Sequence, residues 1–412
     1  MAFGTMPRIP TIKDIDLEKR KVFLRIDINS PIDPETGEIL NDKRIRVHSK
    51  TIKKLIEEYN TALVIASHQG RPGQPNFVSL EKHAELLRQY SGIDIKFIDD
   101  VIGPAARKAI QELKPGEALL LDNLRFVSEE LIEAVPERQV NCFLVRKLAP
   151  LFDVYVNDAF ATAHRSQPSI VGFPLILPSA AGPVFEKEVD ALKRAFSEQS
   201  TPRVFVFGGS KVHDIIRVIE NLLRNRVADR ILTTGLVAQV FLVAKGIDIG
   251  KRNLKLLEEK GVLGLVPRAR RLLFQGAPVE TPLDFKTLTN GDVKEEFVGK
   301  VEGLIMDIGK QTIKMYSDLM KEAKVIIMRG PAGVIEDERF KEGTKELINA
   351  AINSKGFVIF AGGHLAAMID EEKINANKCH VSTGGNALLL FLSGEKLPAI
   401  EALSMSAKML GL

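Results

Sequence analysis

At 412 residues the chain is long enough for two domains, each large enough to bury its own core. Its hydrophobic fraction of 45% and charged fraction of 27% suit a globular protein in water, and a net charge of +4 makes no electrostatic case for nucleic acid. Cys142 and Cys379 form neither a disulfide framework nor a zinc spacing, no apolar run approaches the ~20 residues of a membrane span, and the start lacks a signal peptide's apolar stretch, so a cytoplasmic protein is expected.

Short, nearly continuous apolar runs alternate with polar or glycine-rich loops and helical segments, the pattern of α/β units around a buried parallel sheet. In the first half the runs at 21–26, 62–66, 118–122 and 153–156 predict strands. Pro174, Pro178, Gly182 and Pro183 then break the chain, and 185–196 reads as a helix that ends at a second break over 197–203. In the second half the runs at 203–207, 230–232, 325–328 and 357–360 predict strands. Between the first two of these, residues 211–226 predict a helix whose Val212, Ile215, Ile216, Ile219, Leu222 and Leu223 form one apolar stripe. Segment 248–303 is charged and irregular, and its pattern assigns no element.

Ligands of open α/β sheets bind beyond the carboxyl ends of the strands, so the residues that follow each run carry the chemistry. In the first half these are cations: Arg44 in KRIR, His68 and Arg71 in SHQGRP, Arg125 in DNLRF, and His164 and Arg165 in NDAFATAHR. Guanidinium forks match phosphate and carboxylate oxygens, and four such loops suit a small, multiply negative ligand. In the second half the same places hold glycine: Gly208 and Gly209 before Lys211, Gly235, Gly330 and Gly333, Gly362 and Gly363, and Gly384 and Gly385 after Ser382 and Thr383. Glycine lets backbone N–H groups approach phosphate, and a following helix N-terminus favours the anion. No Walker GxxxxGK[ST] and no GxGxxG is present, which counts against a P-loop ATPase and an NAD-dependent dehydrogenase. The residues alone therefore predict two Rossmann-like α/β lobes with parallel sheets joined by a helix, one for a phosphorylated acid and one for a nucleotide. Phosphoryl transfer across a cleft that closes is the expected chemistry.

Along nearly its whole length the sequence resembles the phosphoglycerate kinase family. RIDINSP is similar to the family's Arg-Val-Asp-Phe-Asn-Val-Pro, SHQGRP to Ser-His-Leu-Gly-Arg-Pro, and YVNDAFATAHR to its YVNDAFGTAHR, while NLRF occurs intact. The resemblance implies that Asp27, Asn29, Arg44, His68, Arg71, Arg125, His164 and Arg165 bind 3-phosphoglycerate or 1,3-bisphosphoglycerate, with Arg44 stabilising the transferring phosphoryl group. FGGSKV, RGPAGVIE and HVSTGG resemble the nucleotide motifs. They imply that Lys211 meets the ATP or ADP phosphates, with Gly208, Gly209, Gly235, Arg329, Gly330, Gly362, Gly363, His364, Ser382, Thr383 and Gly384 around the nucleotide and Glu336 on its ribose. The implied organisation is a substrate domain over 1–181, a connecting helix over 182–200, a nucleotide domain over 201–393 and a segment over 394–412 that returns to the first domain. The implied protein is a cytoplasmic, magnesium-using monomer or homodimer.

Several positions depart from the family pattern. Ile215 stands where a second lysine is usual, Arg329 for an asparagine, His364 for the aspartate used towards magnesium, Thr234 and Asn386 for glycines, and RSQPS lacks a second histidine. Arg329 is expected to take over phosphate charge no longer met at Ile215. No replacement carboxylate is evident, although Asp307 in MDIG resembles an aspartate of the family's Leu-Asp-Ile-Gly stretch. The losses at Ile215 and His364 keep a second reading open, a nucleotide-binding module without turnover.

Overall fold

The computed structural model describes residues 6–412. They divide into two compact units, residues 6–190 together with 396–412, and residues 191–395.

The N-terminal unit is built on β1 (Lys21–Arg25), α1 (Lys43–Glu57), β2 (Ala62–Ala66), α2 (Glu81–Ser91), β3 (Ile95–Ile98), α3 (Pro104–Glu112), β4 (Ala118–Leu121), α4 (Pro136–Gln139), α5 (Phe143–Leu148), β5 (Val154–Asn157) and β6 (Ser179–Ala181). Its six strands lie in the order β3-β4-β2-β1-β5-β6, and every pairing is parallel. Side chains alternate across a strand, so one run feeds two cores. Val22 and Leu24 of β1 pack on one face with Leu63, Ile65 and Leu120, while Phe23 packs on the other with Val64, Leu119, Leu121 and Tyr155. Phe23 also stacks on Phe173 at 4.6 Å between ring centroids. Strands buried on both faces read as unbroken apolar runs, which is why β1, β2, β4 and β5 were visible in the sequence.

Helix α6 (Pro183–Ala195) carries the chain onward. Beyond it come β7 (Arg203–Phe207), α7 (Val212–Arg224), β8 (Arg230–Thr233), α8 (Gly235–Ala244), α9 (Lys251–Glu259), α10 (Val266–Phe274), β9 (Val279–Glu280), β10 (Asp284–Thr289), β11 (Asp292–Phe297) and β12 (Leu304–Ile308). The unit closes with α11 (Lys310–Met320), β13 (Val325–Arg329), α12 (Glu342–Asn353), β14 (Phe357–Ala361), α13 (Gly363–Ala366), β15 (Cys379–Ser382) and α14 (Gly385–Leu392). Its main sheet is parallel, in the order β15-β14-β13-β7-β8-β9.

The irregular segment 248–303 proves to be ordered. It supplies α9, α10 and the hairpin β10–β11, and with β12 the hairpin makes a three-stranded antiparallel sheet of order β11-β10-β12. The outer strand β11, DVKEEF, is mostly exposed and charged, so it lacks the apolar signal that marks a buried strand.

The last helix, α15 (Pro398–Met409), belongs to the N-terminal unit. Ala399 N donates to the Ala163 carbonyl at 3.1 Å, and Ser179 N donates to Ser406 Oγ at 2.9 Å. Among the described residues no helix is long and apolar enough to cross a membrane.

Candidate functional site

In the N-terminal unit the predicted residues gather at the carboxyl ends of β1, β2, β4 and β5. Asp27 leaves β1 buried, and its Oδ2 accepts from Arg44 Nη1 at 2.7 Å. Burial pushes the Asp27 carboxyl up, but the positive charge around it, that of Arg44 first and Arg25 behind it, outweighs burial and holds the group well below the usual carboxylate range. Asn29 locks the turn: its N–H donates to Asp27 Oδ1 at 3.0 Å and its Oδ1 accepts from Gly70 N at 2.9 Å. Arg125, nearly fully buried, donates from Nη1 to the Gly70 carbonyl at 2.5 Å. Burial, with the charges of Arg165, Arg25 and Arg71, pushes its pKa down to about 10. Arg71 is exposed, and Arg165 pairs with Glu133 at 3.4 Å. His164 has a buried Nδ1 without a partner, and burial and the adjacent Arg165 push its pKa down to about 4.

Two buried networks behind these residues were not read from the sequence. Arg25, 0% exposed, donates from Nε to Ser169 Oγ at 2.8 Å and from Nη2 to His68 Nδ1 at 3.1 Å, with Glu130 at 3.9 Å. Ser169 in turn hydrogen-bonds Glu130 through its N–H at 3.0 Å and through its hydroxyl. A guanidinium cannot accept, so His68 Nδ1 is the acceptor and the ring proton sits on Nε2. Burial lowers the His68 pKa well below its ordinary value; Asp27 opposes this, while Arg25, Arg125 and Arg165 add to it. His68 is therefore a neutral donor. The second network runs from Asp27 N to His48 Nε2 at 3.4 Å, and from His48 Nδ1 to Asp158 Oδ2 at 2.8 Å. Asp158 Oδ1 accepts from Val184 N, in the first turn of α6, at 2.8 Å. These partners lie far apart in sequence, and no local motif announces them.

In the C-terminal unit the strand ends are packed glycine against glycine. A Cβ on Gly208 would lie 2.3 Å from both the Pro331 carbonyl oxygen and Thr234 Oγ1, and one on Gly330 would lie 2.4 Å from the Gly208 carbonyl oxygen. A Cβ on Gly235 would meet Gly209 N at 2.8 Å, and one on Gly385 would meet Gly362 Cα at 3.5 Å. Gly209, Gly235, Gly330 and Gly362 also have φ of +75°, +58°, +78° and +99°, a region in which other residues are strained. The loops after β7, β8, β13, β14 and β15 thus form one cradle with little side-chain cover, and α7, α8 and α14 begin at its rim. Such N-termini present free N–H groups to an anion. Lys211 sits at the start of α7 and donates from Nζ to Asn386 Oδ1 at 2.8 Å. Ser382, paired with Ala361 across β15 and β14, precedes Thr383 and Gly384, and Gly384 N donates to Ser382 Oγ at 3.1 Å. Gly363 and His364 are exposed in α13, and Glu336 is exposed on the loop beyond Gly333.

The residues present do not build a protein-held magnesium site. Among the described residues no three His, Cys, Asp or Glu side chains converge. Magnesium prefers oxygen, and His364 offers imidazole nitrogen. Asp307 is no substitute: it is buried, with Oδ1 accepting from Ile308 N and Oδ2 from Gly343 N, both at 2.8 Å. It also lies under Gly333, where a Cβ would come 2.6 Å from Oδ1. Asp307 therefore braces the loop after β13 and the start of α12. Ile215 is fully buried in the apolar stripe of α7.

Comparison with known proteins agrees with this architecture. The family model for phosphoglycerate kinase matches residues 12–395. The phosphoglycerate kinase of Saccharolobus solfataricus is 59% identical over 399 residues, 97% of each chain, and that of Sulfurisphaera tokodaii is 58% identical over 400 residues, 97% of this chain and 96% of its own. The crystal structure of the phosphoglycerate kinase from Pyrococcus horikoshii superposes with a TM-score of 0.90 at 40% identity, covering 97% of this chain and 100% of that one. The structure of the Coxiella burnetii phosphoglycerate kinase gives 0.77 at 32% identity, covering 96% and 99%. The chain belongs to the phosphoglycerate kinase family, phosphotransferases of glycolysis with a carboxyl group as acceptor.

Proposed function

We propose that this chain transfers a phosphoryl group reversibly between 1,3-bisphosphoglycerate and ADP, giving 3-phosphoglycerate and ATP, with the acid held by the N-terminal unit and the nucleotide by the C-terminal unit. The observation that carries the reading is the cation cluster of the N-terminal unit. Arg125 is bonded to a backbone carbonyl and not to a carboxylate, and Arg165 and Arg71 stand close enough to depress its protonation. Like charges brought together call for an anion, and a phosphorylated carboxylate supplies charge for several of them at once.

The resemblance to the family and the placement of these residues at the strand ends support the following roles. Arg44, held by Asp27 and partly open to solvent, serves the transferring phosphoryl group, whose charge is spread over its oxygens. Asn29 and Asp27 fix the turn that presents Arg44. His68 donates from Nε2 to the acid, and Arg71, Arg125, His164 and Arg165 take its carboxylate and distal phosphate. On the nucleotide side, Gly208, Gly209, Gly235, Gly330, Gly362, Gly363, Ser382, Thr383 and Gly384 offer backbone and hydroxyl groups to the phosphates, Lys211 offers charge, and Glu336 takes the ribose. No protein nucleophile is needed, because the chemistry is positioning and charge stabilisation. Magnesium would arrive on the nucleotide's own phosphates, with water completing its shell. A cytoplasmic enzyme, monomeric or homodimeric, suits such diffusible ligands.

The test is ATP-dependent phosphorylation of 3-phosphoglycerate by wild type and Arg44→Ala, with and without magnesium. Arg44→Ala should lower kcat about 10²–10³-fold while nucleotide affinity holds. Nucleotide binding by wild type without turnover at any magnesium concentration would instead favour the binding-module reading.

A further inference from the structure

Arg329 ends β13, the strand between β7 and β14 in the C-terminal sheet. Its backbone is fully engaged: it pairs in register with Phe207 and Ala361, and its carbonyl accepts from Gly208 N at 2.9 Å. Its side chain is not. The residue is only 6% exposed, and its Nε is buried without a hydrogen-bond partner. Native folds rarely bury a guanidinium in that condition, because its lost hydration goes uncompensated. Asp214 is the acidic group whose charge reaches it, partly offsetting the burial that lowers its pKa.

The surroundings say what is missing. A Cβ on Gly362 would lie 4.0 Å from Arg329 Cγ, so the side chain runs alongside the glycine cradle. Lys211 is the second cation there; burial lowers its pKa, and the charge of Arg329 lowers it further. Its Nζ is oriented by Asn386. Two mutually repelling cations thus sit beside loops cleared of side chains and at the N-terminus of α7. Ile215 lies inside the apolar stripe of the same helix and brings no charge, so the second cation beside Lys211 comes from β13 instead.

We infer that Arg329 and Lys211 together clamp the nucleotide's polyphosphate, and that this pair lets the protein bind the diphosphate without a metal ion. The inference rests on the nucleotide reading of this unit. Arg329 contributes a fixed fork and Lys211 a mobile point charge. Together they neutralise phosphate charge that neither His364 nor Asp307 can meet by holding a metal.

Calorimetric titration of ADP, inorganic pyrophosphate and adenosine, in EDTA and in excess magnesium, tests it on wild type, Arg329→Met and Arg329→Lys. Arg329→Met should weaken metal-free ADP and pyrophosphate about 10–100-fold, the range of one charge-assisted hydrogen bond. It should weaken ADP less when magnesium is present and leave adenosine unchanged, and Arg329→Lys should recover part of the loss. Removing an unpaired buried charge should also raise the ligand-free melting temperature of Arg329→Met. Unchanged metal-free ADP affinity in Arg329→Met, an equal loss for adenosine, or a lower ligand-free melting temperature overturns the inference and leaves the nucleotide reading standing. Wild type that binds neither ADP nor adenosine overturns both.

Discussion

The two units place their hydrogen-bond donors at the strand ends by different means. The N-terminal unit uses side chains: Arg25, Arg44, Arg125 and His68 are each fixed by a hydrogen bond to a buried partner or a backbone carbonyl. The C-terminal unit uses backbone, with glycines packed so closely that a Cβ on several of them would strike a neighbouring loop. A small acid that must be told apart from its relatives calls for placed donors on every side. A polyphosphate, common to many nucleotides, calls for unobstructed N–H groups and a few charges. The first design concentrates risk in single side chains, and the second in single Cβ atoms.

The sharpest break of that contrast is Arg25→Met. It leaves Glu130, 0% exposed, as an uncompensated buried carboxylate, and should destabilise the N-terminal unit by about 3–5 kcal/mol in a denaturant melt. Glu130→Gln added to it should return part of the loss. A smaller effect is expected from Gly208→Ala. The new methyl would sit 2.3 Å from the Pro331 carbonyl oxygen and should cost about 1–3 kcal/mol, with weaker ADP binding. Gly363→Ala, with nothing within 4 Å of its Cβ and no positive φ, should change stability by less than about 0.5 kcal/mol. Equal losses at the two glycines would end the argument from close packing.

Each step of pH has a smaller effect than these substitutions of Arg25 and Gly208, and the two units should move oppositely. Burial pushes the His83 pKa down to about 4, below its unfolded value of about 6.5. The unfolded state then binds more protons across that window, so stability falls as pH drops from 6.5 to 4, by at most about 1.4 kcal/mol per pH unit for one group. In the C-terminal unit burial pushes Asp307 up to about 7, against hydrogen bonds from Gly343 and Ile308. There the native state binds more protons between pH 3.8 and 7, so stability falls as pH rises through that window. Hydrogen exchange resolved by unit between pH 4 and 7 should show the N-terminal unit loosening towards acid and the C-terminal unit loosening towards neutrality. His83→Gln and Asp307→Asn should flatten their respective slopes.

The sequence was most legible where burial imposes an unbroken apolar run. β7, β13 and β14 are buried throughout and were visible at once, as was α7 through its stripe. β3 exposes Lys96, β6 is three small residues, and β15 carries His380, so none of them shows an apolar run. The loops of the site were legible because arginine and glycine recur just past strands. Their supports were not. Arg25 meets Ser169 across 144 positions, and His48 meets Asp158 across 110, separations that only the sheet order brings together. Asp307 was noticed for the wrong job: its carboxylate holds two backbone N–H groups rather than facing a ligand.

Helix α15 has a consequence for how the protein is made. Residues 396–412 belong to the unit whose sheet is translated first, and they bond to Ala163 and Ser179. On the ribosome, therefore, the first unit waits for residues emitted after the whole of the second. The C-terminal unit can reach its final form while the N-terminal unit still lacks a helix. A released chain truncated before residue 396 would then show a protected C-terminal unit and a protease-sensitive N-terminal unit, the reverse of the usual order in which the leading domain matures first.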